Sequence, residues 1–142
     1  MIVPDINMLI YAHKPDAPEH DVAQRWWQDL VHGTESVGIP WAVATGFVRV
    51  ISIPGVLSPP VSPANAADSV AGWFRHDHIT PINPGDGHMR IFQENLAVAG
   101  SGTKLVTDAH IAALTIEHDA ELHTNDSDFA RFPGLRWLNP LA

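Results

Sequence analysis

The sequence contains no cysteine. That excludes disulfides, thiolate metal sites and a cysteine nucleophile, and it suits a reducing compartment. No apolar run approaches the ~20 residues a membrane-spanning helix needs. The opening stretch, MIVPDINMLIYAHKPD, carries an acid at its fifth position and no basic lead-in, so it reads as a buried strand and not a signal peptide. A cytoplasmic location without membrane contact is expected. No repeat, low-complexity tract or linker breaks the chain, and one domain over residues 1–142 is expected. Basic residues are scarce: eight Lys and Arg face sixteen Asp and Glu, for a formal net charge of -8. Proteins that hold nucleic acid by charge alone are usually basic, so tight nonspecific binding of that kind is disfavoured. Carboxylates committed to a divalent ion would soften this conflict. No GxGxxG, P-loop or GxSxG motif is found, and the nine histidines form no HExxH pattern.

What is present is ordinary core material: 45% apolar residues, with five Trp and five Phe. Residues 1–5 suit a strand buried on both faces. In Ala17–Val31, Val22, Trp26 and Leu30 recur at four-residue spacing, as do Ala23, Trp27 and Val31, which predicts a helix ended by Gly33. Pro40–Ile51 predicts a second helix. Ser62 and Pro63 supply an N-cap and first position for a helix through Phe74. His78–Ile82 suits a short strand, and Pro84–Ala99 a helix with Met89, Phe92 and Leu96 inward, closed by Gly100. The PGDGH run at 84–88 reads as a turn leading into that helix. A Gly-containing loop is expected at Ser101–Lys104. Thr107 would cap a helix from Asp108 to His118. Glu121–Thr124 and Arg136–Leu138 predict the last strands. This alternation implies an α/β fold with parallel strands and right-handed crossovers.

Ligands of such sheets bind beyond the carboxyl ends of the strands, where the topology switches. Asp5 ends the first strand, Asp108 opens a helix, and Asp126 and Asp128 follow a late strand. Converged, they would suit phosphodiester cleavage. That reaction needs a nucleophilic water and relief of phosphate charge, which divalent ions supply, as a pair ~4 Å apart in two-metal sites. Mg²⁺ and Mn²⁺ prefer oxygen ligands, hence Asp or Glu. Carboxylates gathered without a cation would repel and raise one another's pKa. Each acid alone also has a plainer reading: Asp5 as a turn cap, Asp108 as a helix-dipole partner, Asp126 and Asp128 as turn residues.

The segments VPDINMLIYAH, VTDAHIAAL and TNDSDFARFPGLRWLNPL, together with IPWAVATGFVRVISIPGVL, resemble the PIN-domain ribonucleases, and most of all the VapC toxins of bacterial toxin–antitoxin pairs. The likeness spans essentially the whole chain. It implies a three-layer α/β/α fold with a parallel central sheet. It also implies Mg²⁺- or Mn²⁺-dependent endoribonuclease activity, often on structured RNA such as transfer or ribosomal RNA. A homodimer held inactive by a VapB-type antitoxin is further implied. By this resemblance Asp5, Asp108 and Asp126 are the catalytic, metal-holding acids. Asp128 supports them, and Asn7 is the polar residue just after the first acid.

The family usually carries a Glu before its Phe-hydrophobic-Arg element, here Phe47-Val48-Arg49. This chain has Gly46 there, and no carboxylate lies from Val37 to Ala67. Either a single metal suffices, or Asp128 and water complete the shell, or another acid such as Glu94 or Glu117 reaches in. Thr45 is a candidate hydrogen-bond donor near the site, and Arg49 and Lys104 are candidate RNA-phosphate contacts. The missing Glu also motivates an alternative: a catalytically weak relative that binds RNA or an antitoxin without cutting. A phosphatase would want a second Asp where Asn7 stands, and a receiver domain an acidic pair before Asp5, so neither fits.

Overall fold

The structure is a computed structural model that describes residues 1–100 and 102–142. Its elements run β1 (Ile2–Pro4), α1 (Ile6–His13), α2 (His20–His32), β2 (Val37–Pro40), α3 (Trp41–Ile51), α4 (Pro63–Trp73), β3 (Ile79–Ile82), α5 (His88–Ala99), α6 (Val106–Glu117), β4 (Glu121–His123), a 3₁₀ turn (Ser127–Arg131) and β5 (Arg136–Leu138). The strands form one sheet in the order β3-β2-β1-β4-β5. Every pairing is parallel. Right-handed crossovers then put α1 to α4 on one face and α5 and α6 on the other. The packing of α1 on α2 and α3, of α3 on α4, and of α5 on α6 agrees with this division.

The order of strands fixes where a ligand can sit. From β1 the chain steps outward to β2 and β3, then returns across the sheet to β4 and continues to β5. The reversal lies between β1 and β4, so their carboxyl ends open the switch-point crevice. β1 is buried throughout, and Leu122 and His123 of β4 are buried too. Burial on both faces explains why these strands read as short apolar runs.

Several elements follow the sequence closely. Ser62 caps α4 by accepting from the Asn65 N–H at 3.1 Å, with Pro63 at its first position. Gly100 ends α5 with φ +89°, a conformation that L side chains rarely adopt. The PGDGH turn is pinned by Glu117, whose carboxylate accepts from the Gly85 and Gly87 N–H groups at 2.8 and 3.0 Å. Of the expected loop at Ser101–Lys104, Ser101 lies outside the described residues, and Gly102–Lys104 is irregular and exposed.

Other expectations are corrected. α1 occupies Ile6–His13, where only the end of a strand was anticipated, and β2 occupies Val37–Pro40, which carried no assignment. α2 begins at His20 instead of Ala17, and Val22 is exposed while Ala23 and Trp27 are buried. Met89 is 59% exposed; α5 turns His88, Ile91 and Asn95 inward instead. Thr107 does not cap α6, which starts at Val106 after Leu105 and has no side-chain cap. On the α1 to α4 side, Phe47 and Trp73 pack on the His13 ring and on each other, and Trp27 packs on Trp73, with centroids 4.9–5.6 Å apart.

Candidate active site

Asp5 stands one residue past β1, where its backbone N–H still donates to the His123 carbonyl at 3.0 Å and extends the β1–β4 ladder. Its side chain serves both readings at once. Oδ1 accepts from the Ile6 N–H at 2.8 Å and caps α1. Oδ2 accepts from the Thr124 hydroxyl at 2.7 Å. Burial pushes the Asp5 carboxyl above its ordinary pKa of 3.8, and the bonds from Thr124 and Ile6 act against that rise.

Thr124 is the residue that the sequence did not reveal. It is fully buried, immediately after β4, and its backbone N–H donates to the Leu138 carbonyl at 3.0 Å. While its hydroxyl donates to Asp5, the same oxygen accepts from the Asp126 N–H at 3.0 Å. Oδ1 of Asp126 in turn accepts from the Asp128 N–H at 2.9 Å, which caps the 3₁₀ turn. One hydrogen-bonded chain therefore runs Asp5, Thr124, Asp126, Asp128. A β-branched Thr at a buried strand end carries no signature of its own. Only its place between two acids would have drawn attention.

Asp108 comes to the same place from the other helical layer, in the first turn of α6. Its carboxyl is pushed up to about 6, first by burial and then by the charges of Asp5, Asp126 and Asp128, with Lys104 opposing. The four acids are thus near enough to act on one titration. Among the described residues, no group of three or more Asp, Glu and His side chains is closed tightly enough to hold an ion as it stands. The donor set is nonetheless all oxygen and electrostatically stressed. Asn7, two residues past Asp5, adds a buried Oδ1 with no hydrogen-bond partner among the described residues. Both observations fit a hard divalent cation better than a closed apoprotein network.

The remaining candidates fall elsewhere. The Thr45 hydroxyl donates back to the Trp41 carbonyl at 2.8 Å within α3. Thr45 and Arg49 line an apolar groove of about 650 Å³ between α3 and α4, with Trp41, Val70 and Phe74. Neither meets an acid of the cluster. Glu94 pairs with Arg90 on the exposed face of α5, and Glu117 holds the Gly85–Gly87 turn, so neither replaces the missing acid. Gly46 has a structural reason of its own. A Cβ there would lie 2.5 Å from Ile6 Cδ1, so a side chain at position 46 requires the end of the Ile6 side chain to move aside.

Fold and cluster together define an α/β protein with an all-oxygen donor set at its switch point. A family model described as PIN domain matches residues 2–135. The chain is 39% identical over 141 residues to Ribonuclease VapC33 of Mycobacterium tuberculosis, covering 99% of both. Among solved structures it resembles VapBC2 from Rickettsia felis, bound to a DNA fragment from its promoter. The TM-score is 0.69 and the identity 19%, over 98% of each chain. It also resembles Mycobacterium tuberculosis VapC20, a Sarcin-Ricin loop cleaving toxin. There the TM-score is 0.69 at 15% identity, over 96% of this chain and 99% of that one. This chain belongs to the PIN-domain family, in its VapC branch.

Proposed function

We propose that this protein is the toxin of a VapBC-type pair, an endoribonuclease that uses Mg²⁺ or Mn²⁺ to cut structured RNA and stop translation. The observation that carries the reading is the convergence of Asp5, Asp108, Asp126 and Asp128: burial first, and then the charges of the other three acids, push the Asp108 carboxyl up to about 6. Acids held together at such a cost in desolvation and repulsion imply a cation partner. Membership of the VapC branch supports the ribonuclease class. The likeness to VapBC2 supports a VapB-type antitoxin as partner, and the likeness to VapC20 supports structured RNA as substrate. A homodimer and a single domain over residues 1–142 belong to the same reading. No helix among the described residues is long and apolar enough to cross a membrane.

In this reading Asp5, Asp108 and Asp126 are the metal-holding acids, and Asp128 supports them. A bound divalent ion would supply an activated water and offset charge on the phosphate. The protein's own part is orientation. Thr124 fixes one oxygen of Asp5 and the backbone of Asp126 with a single hydroxyl, so the two acids cannot drift apart independently. The Thr124 proton also favours the ionised form of Asp5 against burial. Asn7, two residues after Asp5 in the first turn of α1, adds a buried oxygen without a donor among the described residues.

The test is end-mapping of transfer and ribosomal RNA incubated with the purified protein and Mg²⁺, Mn²⁺ or EDTA. Discrete fragments that vanish with EDTA and with Asp5→Asn are the expected result. One observation favours the second reading, a protein that binds RNA or antitoxin without cutting: position 46 is Gly, packed against the Ile6 side chain, so the site has no carboxylate from α3. RNA retarded in gels but intact in every metal would establish that alternative.

A further inference from the structure

An acidic chain that handles RNA must hold a polyanion near its own carboxylates. The placement of its eight cations is therefore informative. Lys14 is tied to Asp16 at 2.7 Å, Arg90 to Glu94 at 3.0 Å, and Arg136 to Asp119 at 3.3 Å. Arg49 lies in the α3–α4 groove, Arg25 is on α2, and Arg75 follows α4. Two cations remain. Arg131 closes the 3₁₀ turn that begins after Asp126, with its Nε 3.9 Å from Asp128 Oδ1 and its side chain 56% exposed. Lys104 is exposed on the approach to α6, four residues before Asp108, and its charge acts on that carboxyl.

Resting on the ribonuclease reading above, we propose that Arg131 and Lys104 grip backbone phosphates of the RNA beside the acid cluster, one from the 3₁₀ turn and one from the approach to α6. The Arg131 guanidinium is held loosely enough to exchange partners: 3.9 Å is an ion-pair separation, longer than a hydrogen bond. A phosphate offers it two well-placed oxygens where Asp128 offers a distant one. An arginine tied to the turn that carries Asp126 and Asp128 also sets the register of the strand. A phosphate it holds lies a fixed distance along the backbone from the one that meets the acids. Lys104 contributes a more mobile point charge from the other layer.

Anisotropy of a short fluorescein-labelled single-stranded RNA, titrated with the full chain in EDTA over a salt series, measures the grip without cleavage. Steady-state cleavage with Mn²⁺ measures its use. Arg131→Ala and Lys104→Ala should each lower the slope of log affinity against log salt by about 0.7. Each should also raise KM several-fold with kcat within about twofold. Arg131→Lys, which keeps the charge, should keep the wild-type slope. Unchanged slopes in both alanine variants would sink the proposal even if the wild type cuts RNA normally. So would a fall in kcat at constant KM for Arg131→Ala, which would make Arg131 a prop for Asp128. A wild type that neither binds nor cuts RNA would overturn the ribonuclease reading and this proposal with it.

Discussion

A single hydroxyl joins the two halves of the acid cluster. Thr124 has one proton to give and gives it to Asp5, and its oxygen takes the Asp126 N–H. Thr124→Val keeps the shape but leaves a buried carboxylate oxygen and a backbone N–H unpaired, at about 1–3 kcal/mol for each group left so. It should lower Tm by several degrees and slow RNA cleavage at least about tenfold, whereas Thr124→Ser should retain most of both. Full cleavage by the Val variant would remove Thr124 from the site. Asp108 makes a prediction of opposite sign. Its carboxyl titrates near 6 in the folded chain and near 3.8 unfolded, so between those values the folded state binds more protons. The stability this group contributes is therefore full below about pH 4 and lost as pH rises through about 6. Asp5 is raised too and acts in the same sense. His13, whose ring burial pushes below the ordinary histidine value, destabilises the fold on the acid side instead, so the difference between variants is the proper readout. In EDTA, Asp108→Asn should melt higher than wild type at neutral pH and lose that advantage below about pH 4. It should also abolish cleavage. An Asn variant that melts lower at neutral pH would show that the acids do not strain one another.

At the scale of elements, the contact of α3 with the start of α1 bears on what position 46 can carry. Ile6 follows Asp5 directly, and its Cδ1 fills the space that a side chain at position 46 would need. Gly46→Glu should therefore destabilise by about 1–3 kcal/mol through overpacking. Paired with Ile6→Val, which removes the obstructing methyl, much of that loss should return. A double-mutant cycle by chemical denaturation measures the coupling, and additive losses would mean the two positions do not meet. The sequence shows the glycine but not what presses on it. Its other omissions have similar causes. α1 is the nearly unbroken apolar run INMLIYA, buried at Met8, Leu9, Ile10 and Ala12, so it lacks the polar face that would betray a 3.6-residue period. β2 is four residues, VGIP, with Gly and Pro among them, and β-propensity is too weak to announce it. The strand end at Asp5 was legible because an acid directly follows a buried run, and the end of β4 was placed one residue late, at Thr124, ahead of the acidic loop. The hydrogen bonds between those ends were not legible, since they join residues 119 apart in sequence.

For the whole molecule, charge and topology pull against each other. A net charge of -8 is spread over a small fold whose switch point gathers four of its sixteen acids. Such a chain gains twice from a divalent cation: the local repulsion is relieved and the total charge falls. A ligand that binds only the folded state stabilises it by RT ln(1 + [L]/Kd), about 2.7 kcal/mol at a concentration about 100 times Kd. Saturating Mn²⁺ or Mg²⁺ should therefore raise Tm clearly at neutral pH, and less at about pH 5, where the folded-state proton on Asp108 competes with the ion. Sodium chloride at matched ionic strength screens surface charge but does not occupy a site, so it should give a smaller rise. The double variant Asp5→Asn/Asp126→Asn should keep the salt effect and lose the excess due to the divalent ion. If the divalent ion and matched sodium chloride shift the wild-type melt equally, the cluster holds no cation. The stress on Asp108 would then stand as a cost of the fold with no partner to relieve it.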